Sequence, residues 1–291
     1  MIDYEFLKAH SLNEALDYLG SYENVKVIAG GTDILVDIRK ENERAKSLKY
    51  LLDISKLKEL KFIEGRKDCM AIGALSTHTM LVESAVINKH FPLLVSAAKT
   101  IGSTQIRNRG TVGGNINNAS PAADLLPPLI ALKAHVKLRS AKGEREVLID
   151  EFLAGPYRTN RQSGEIMTEV CVPLLGEGYF MNFQKIGRRK AMNIARLNLA
   201  IVLGINDGAI FDSRVVPGAA TAYPMRFRKV EEAISGKDIK DIDLAEIGEL
   251  ASDEMISATG VRWSTPYKRI ALASLVKRAL ETIFMEAKAD E

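Results

Sequence analysis

The sequence is poor in the residues that most often announce chemistry. Its 291 residues include two cysteines, four histidines and one tryptophan. Cys69 and Cys171 stand far apart with no CxxC pair, which excludes a metal or iron–sulfur site built by this chain alone and points to a reducing compartment. His10, His78, His90 and His135 lack metal-ligand spacing. No G-x-G-x-x-G is present, so a Rossmann dinucleotide site is not supported, and no G-x-x-x-x-G-K-[ST] marks a P-loop. Nothing resembles a Ser-His-Asp set, and the acid pairs (Glu231-Glu232, Asp241 and Asp243) read as helix surfaces. No apolar run approaches the roughly 20 residues of a membrane span. The opening MIDYEFLKAHSLNEAL carries acids early and lacks an apolar core, so no signal peptide is expected. A net charge of +3 is too mild to argue for nucleic acid. The expectation is a cytoplasmic protein with neither a membrane nor a nucleic-acid partner.

What is present is an ordinary globular composition: 46% hydrophobic, 26% charged and a mean hydropathy of -0.03. The length suits two or three compact units. SLNEALDYLG reads as a helix capped by Ser11 and Glu14, with Leu12, Ala15, Leu16 and Leu19 on one stripe and Gly20 as the stop. Val25, Val27 and Ile28 form a short strand. Gly30-Gly31 then turns the chain into a helix capped by Thr32 or Asp33, with Leu35 and Ile38 on one side. Leu48 to Ile54 is a further strand, which completes a β–turn–helix–β unit. Phe62 to Leu75 reads as a strand ending at Gly73, and helices follow at Thr77 to Ser84 and Pro92 to Lys99. HVKLRSAKGEREVLI is a hairpin and Glu165 to Leu174 a strand. The GEG at Gly176 to Gly178 is the expected boundary between domains at 1–175 and 179–291, the first with lobes at about 1–55 and 56–175. Beyond it, Asp-Gly between two apolar runs marks a hairpin. The C-terminal helix is capped by Thr265, begins at Pro266, and carries Leu272, Leu275, Val276, Ala279, Leu280 and Ile283 on one face.

Two glycine pairs, Gly30-Gly31 and Gly113-Gly114, fall where strands are expected to end. The second opens TVGGNINNASPAADLLPPLIAL (Thr111 to Leu132). Glycine permits positive φ and lets a ligand approach the backbone with no Cβ in the way. Successive exposed N–H groups in such turns form anion-binding concavities that can hold a pyrophosphate without a lysine. Either pair alone reads more readily as a tight turn; the two together favour a ligand.

AGGTDILVDIR (Ala29 to Arg39), followed by IGSTQIRNRGTVGGNINNASPAADLLPPLIAL (Ile101 to Leu132), resembles the FAD-binding medium subunit of molybdenum hydroxylases. That group includes bacterial xanthine dehydrogenase, nicotinate dehydrogenase and aerobic carbon monoxide dehydrogenase. FQKIGRRKAMNIARLNLAI (Phe183 to Ile201) is similar to a third family marker, and the resemblance covers essentially the whole chain. It implies an α+β fold: a vanillyl-alcohol-oxidase (PCMH)-type FAD-binding domain of two lobes, then a C-terminal α/β domain like that of carbon monoxide dehydrogenase flavoproteins.

By the same resemblance, Val27, Ile28, Ala29, Gly30, Gly31, Thr32, Asp33 and Ile34 wrap the FAD phosphates through main-chain amides. Thr111, Gly113, Gly114 and Asn115 close the other side. Asp124 accepts hydrogen bonds from sugar or ribityl hydroxyls, Ile101 packs where relatives often place a larger residue, and Met167 makes an apolar contact. Lys185 stabilises negative charge near flavin N1. Relatives commonly carry Asp at the position of Asn193. Arg107 is left between the pyrophosphate and a surface acid, and Arg188 to Lys190 between a solvated basic face and a subunit interface.

The implied role is electron relay within a hetero-oligomer, such as a dimer of heterotrimers. A large subunit carries the molybdenum cofactor and a small one two [2Fe–2S] clusters; FAD on this chain passes electrons to NAD+ or another acceptor. Alternatives are a stand-alone flavin enzyme of the same broad fold, comparable to UDP-N-acetylenolpyruvoylglucosamine reductase, and a basic module using KIGRRK to bind RNA or a partner.

Overall fold

The computed structural model describes residues 2–189 and 192–290, and the chain opens with a small parallel sheet. Strands β1 (Glu5–Lys8), β2 (Val25–Ile28) and β3 (Tyr50–Asp53) lie in the order β1-β3-β2, all parallel. Helix α1 (Leu12–Ser21) covers one face and α2 (Ile34–Arg39) the other. Alternation decides which residue goes where: Leu52 packs with Leu16 and Leu19, whereas its neighbour Leu51 packs with Ile38 and Leu48. A strand covered on both faces carries apolar residues at successive positions, as Leu51 and Leu52 do. Ser11 caps α1 by accepting from the Glu14 amide (3.2 Å), while Glu14 Oε2 accepts from the His10 amide (2.7 Å). The helix runs through the exposed Gly20 to Ser21, one residue past the expected stop. Of the two apolar residues expected to face inward on α2, only Ile38 is buried; Leu35 is 41% exposed.

The second lobe is a five-stranded antiparallel sheet in the order β4-β5-β10-β6-β7. Its strands are β4 (Ile63–Gly65), β5 (Cys69–Gly73), β6 (His135–Ser140), β7 (Gly143–Leu148) and, later in the chain, β10 (Ile166–Pro173). The single strand expected over Phe62 to Leu75 is thus the hairpin β4–β5. Helices α3 (His78–Glu83), α4 (Ala85–His90), α5 (Pro92–Lys99), α6 (Thr104–Arg109), α7 (Val112–Asn118) and α8 (Leu126–Ala131) bury Phe91, Leu94, Ile116 and Leu126 against Ile72, Val136 and Val170. Short helix α9 (Ile149–Phe152) leads into the ribbon β8 (Leu153–Gly155) and β9 (Arg158–Thr159).

Cys69 and Cys171 form a disulfide between β5 and β10, with Cα atoms 5.9 Å apart. This corrects the reading of two isolated thiols and removes the premise for a reducing compartment. The pair spans 102 residues and meets only because β10 returns between β5 and β6.

After the GEG segment come β11 (Tyr179–Ile186), β12 (Leu197–Asn206) and β13 (Ala209–Gly218), an antiparallel meander. Asp207 (φ 48°) and Gly208 (φ 75°) make the tight turn between the last two, the left-handed pair a two-residue hairpin needs. Odd-numbered Leu197 to Ile205 face α10 (Arg228–Ile234), α11 (Leu244–Thr259) and α12 (Thr265–Asp290), while Ala200 and Val202 face the core of the second lobe. The six apolar residues expected on the last helix are all buried. Thr265 is its first residue, not its cap, and its hydroxyl accepts from the Arg262 amide at 2.7 Å. Among the described residues no helix is long and apolar enough to cross a membrane, and no cluster of acids, histidines or cysteines could hold a metal ion.

Candidate functional site

A cleft of about 860 Å³ lies where β2, α2, α7 and the β9–β10 loop meet. Its volume falls in the range of small-molecule and cofactor sites. Val27, Ala29 and the turn from Gly30 to Ile34 line one wall; Thr111, Gly113, Gly114 and Asn115 line the other; Ile101, Asp124 and Met167 complete it. Ile28 is absent from the lining and packs with Ile38 and Leu51.

The two glycine turns differ in what they do with their amides. Gly31 has φ +78°, and Gly30 lies so close to the Arg109 carbonyl oxygen that any Cβ would overlap it. Among the described residues, nothing accepts a hydrogen bond from the amides of Gly30, Gly31, Thr32 or Asp33. Asp33 occupies the N-cap position of α2 but makes no capping bond. Four consecutive amides without an acceptor from the protein therefore line the cleft, the arrangement of an anion-binding concavity at a helix start.

The second turn is closed on itself. Thr111 caps α7, accepting from the Gly114 amide at 3.0 Å. The amides of Val112, Gly113 and Asn115 donate to Ser76, Ala74 and Thr111 carbonyls, each at 2.9 Å. A Cβ on Gly113 would stand 2.7 Å from that of Ala74. The expectation of a second amide-presenting loop is therefore corrected: these glycines permit close packing of α7 onto the β5–α3 connection.

Lys185 also departs from expectation. It is absent from the cleft lining, and its ammonium donates to Asp124 Oδ2 (2.6 Å), Thr100 O (3.1 Å) and Asn193 O (3.2 Å). Asn198 Nδ2 holds Asp124 Oδ1 at 2.9 Å. Burial pushes the Asp124 carboxyl up, against the opposing pull of Lys185 and Asn198. Lys185 thus orients Asp124 from behind. Arg107 turns back onto Ile101 O and Thr104 Oγ1 (both 3.1 Å) and pairs with no acid among the described residues. Arg189 bonds Met192 O within its own loop, and Lys190 lies outside the described residues.

Three lining residues hold a buried polar atom without a partner among the described residues. His78 is 3% exposed, its Nδ1 has no partner, and burial together with the Arg107 charge pushes it down to about 4, so the imidazole is neutral at physiological pH. Asn115 Oδ1 and Asn193 Oδ1 are likewise buried without partners, and all three residues line the cleft. Lys26, Arg44 and Arg161 line the cleft as well, and the charges of both arginines act on Lys26. A concavity rich in orphaned donors and acceptors is shaped for a polar ligand.

Residues 2–175 match the model of the FAD binding domain in molybdopterin dehydrogenase, more than half of the chain. The chain belongs to this family. Residues 182–283 match the CO dehydrogenase flavoprotein C-terminal domain. The chain is 32% identical over 281 residues to the glyceraldehyde dehydrogenase medium chain of Sulfolobus acidocaldarius, covering 97% of this chain and 98% of that one. It is 31% identical over 284 residues to the nicotinate dehydrogenase FAD-subunit of Eubacterium barkeri, covering 96% and 95%. The fold superposes on a chain of carbon monoxide dehydrogenase from Hydrogenophaga pseudoflava with a TM-score of 0.89 at 29% identity, covering 98% and 99%. This flavoprotein is an FAD-dependent oxidoreductase subunit of the molybdenum hydroxylase type, with the mixed α+β architecture expected.

Proposed function

We propose that this flavoprotein is the electron-transfer subunit of a multi-subunit molybdenum hydroxylase, with FAD held in the cleft between residues of its 1–175 domain and its 179–291 domain packed alongside. One observation carries the placement: the four unpaired amides at Gly30 to Asp33. They supply donors for a diphosphate, flanked by Val27, Ala29 and Ile34. Thr111, Gly113, Gly114 and Asn115 form the opposite wall by shape, with the free Asn115 Oδ1 as an acceptor. Asp124, fixed by Lys185 and Asn198, keeps lone pairs for sugar or ribityl hydroxyls. Ile101 and Met167 exclude water from the apolar part of the ligand. Neutral His78 adds no charge and leaves one ring nitrogen for a hydrogen bond. FAD held by these residues would supply redox chemistry that no side chain of the cleft possesses, linking the [2Fe–2S] clusters of a small partner to NAD+ or another acceptor. A large partner carries the molybdenum cofactor and the substrate pocket.

The purified complex should absorb near roughly 450 nm and be bleached by the hydroxylase substrate only with the partner subunits present. Correctly folded, colourless protein that refuses added FAD would refute the assignment.

A further inference from the structure

Three cations drawn from separate parts of the chain, Lys26, Arg44 and Arg161, line the cleft near one another, and two of them have no carboxylate partner among the described residues. Lys26 lies on β2 between Val25 and Val27, whose side chains join the core around α1. Alternation places Lys26 on the opposite face, with Ile28, where α2 covers the sheet. Half-buried and lining the cleft, its ammonium has neither a hydrogen bond nor an ion pair among the described residues. Arg161 approaches from the second lobe. Its Nη1 donates to the Glu165 carbonyl (2.7 Å) and marginally to Gln162 O (3.4 Å), and no carboxylate lies within salt-bridge distance. Burial pushes both groups down, and for Lys26 the charges of Arg161 and Arg44 add to that.

Of the acids that line the cleft nearby, Glu165 and Asp37 are already engaged. Glu165 is held by a two-pronged contact from Arg145 (2.6 and 2.9 Å) and by the Gln162 amide (2.6 Å). Asp37 is taken by Arg44 (2.8 Å) and Asn42 (2.6 Å). Asp33 lines the cleft too but is exposed to solvent. Arg44 is therefore neutralised locally and lies 3.9 Å over the Tyr157 ring, which itself lines the cleft. Two half-desolvated cations facing one cavity from opposite lobes are unfavourable until an anion joins them. The unpaired amides of Gly30 to Asp33 line the same cleft as these cations, so one diphosphate could meet both. The Arg44–Tyr157 pair offers a flat surface of the kind on which a heteroaromatic base stacks.

We propose that Lys26 and Arg161 clamp the adenosine-diphosphate half of the cofactor between the lobes, and that this clamp makes the cleft select a dinucleotide flavin over FMN. The inference rests on the FAD assignment above. Lys26 acts as a point charge on the diphosphate and Arg161 closes from the facing lobe, so selectivity resides in the half of the ligand that never reacts.

The test is a titration of the full chain, stripped of flavin, with FAD, FMN and ADP at stepped potassium chloride concentrations, followed by flavin fluorescence and by competition. Wild-type protein should bind FAD far more tightly than FMN, release it to ADP, and weaken as salt rises. Lys26→Met and Arg161→Met should each lower FAD affinity about 10- to 100-fold and flatten its salt dependence while leaving FMN binding unchanged. Lys26→Arg and Arg161→Lys keep the charge and should stay within a few-fold of wild type. If the Met variants bound FAD like wild type, lost FMN equally, or did no worse than the charge-keeping variants, the clamp would be overturned. An ADP arm that failed to displace FAD would overturn it too. Wild-type protein that bound no flavin at all would instead refute the FAD assignment.

Discussion

The two glycine turns carry the same dipeptide and do different work. At Gly30-Gly31 the amides are left without an acceptor among the described residues and line a cavity; at Gly113-Gly114 every amide from Val112 to Asn115 already has an acceptor within the chain. Glycine is needed at the first turn for a left-handed φ and for backbone contact with Arg109, and at the second for packing of α7 against Ala74. The lesson is that a missing Cβ has two separate uses, presenting donors to a ligand and bringing chain segments together, and only hydrogen-bond partners tell them apart. Damage at the second turn should appear first in stability, and damage at the first in affinity as well.

The severest break is at the seam joining the two. Gly30→Ala forces a Cβ into the Arg109 carbonyl, so it should cost about 4 kcal/mol or more and abolish FAD retention, read by thermal melting and flavin absorbance. His78 sits on the same seam, its ring against Gly110 and its amide donating to Gly110 O at 3.1 Å. Its folded pKa of about 4 lies below the ordinary 6.5, so the unfolded chain takes up the proton first. Stability is then intact above about pH 6.5, falls by up to about 3 kcal/mol as pH drops toward 4, and levels off below. Chemical denaturation across that range should show the slope in wild type and a shallower one in His78→Phe. Gly113→Ala should cost about 2 kcal/mol through overpacking against Ala74, with FAD affinity falling only as far as the fold loosens. The smallest effect is expected from Thr111→Ala, about 1 kcal/mol for a lost cap, with nearly unchanged affinity. A large affinity loss in Thr111→Ala at constant melting temperature would erase the contrast between the turns.

Local patterns carried much of this into the sequence. The stripe on α1, the Asp-Gly hairpin between β12 and β13, and the six buried positions of α12 follow from spacing alone. The glycine turns were visible as dipeptides, yet their different uses were not, because the carbonyls of Ser76 and Ala74 belong to another segment. The same reason hid the Cys69–Cys171 pair, which depends on strand order, and the turning of Lys185 onto Asp124, 61 positions away. Lys26 left a trace: one lysine inside VKVI on a strand apolar elsewhere. Arg161 and His78 left none, since each gains meaning only from what faces it across the cleft.

Amide hydrogen exchange, resolved by residue with and without FAD, tests the central claim most directly. The account predicts fast exchange at Gly30, Gly31, Thr32 and Asp33 in the flavin-free chain and strong protection once FAD is added, while Val112 to Asn115 stay protected in both states. Yellow, FAD-loaded protein whose Gly30 to Asp33 amides exchange as freely as before would contradict it.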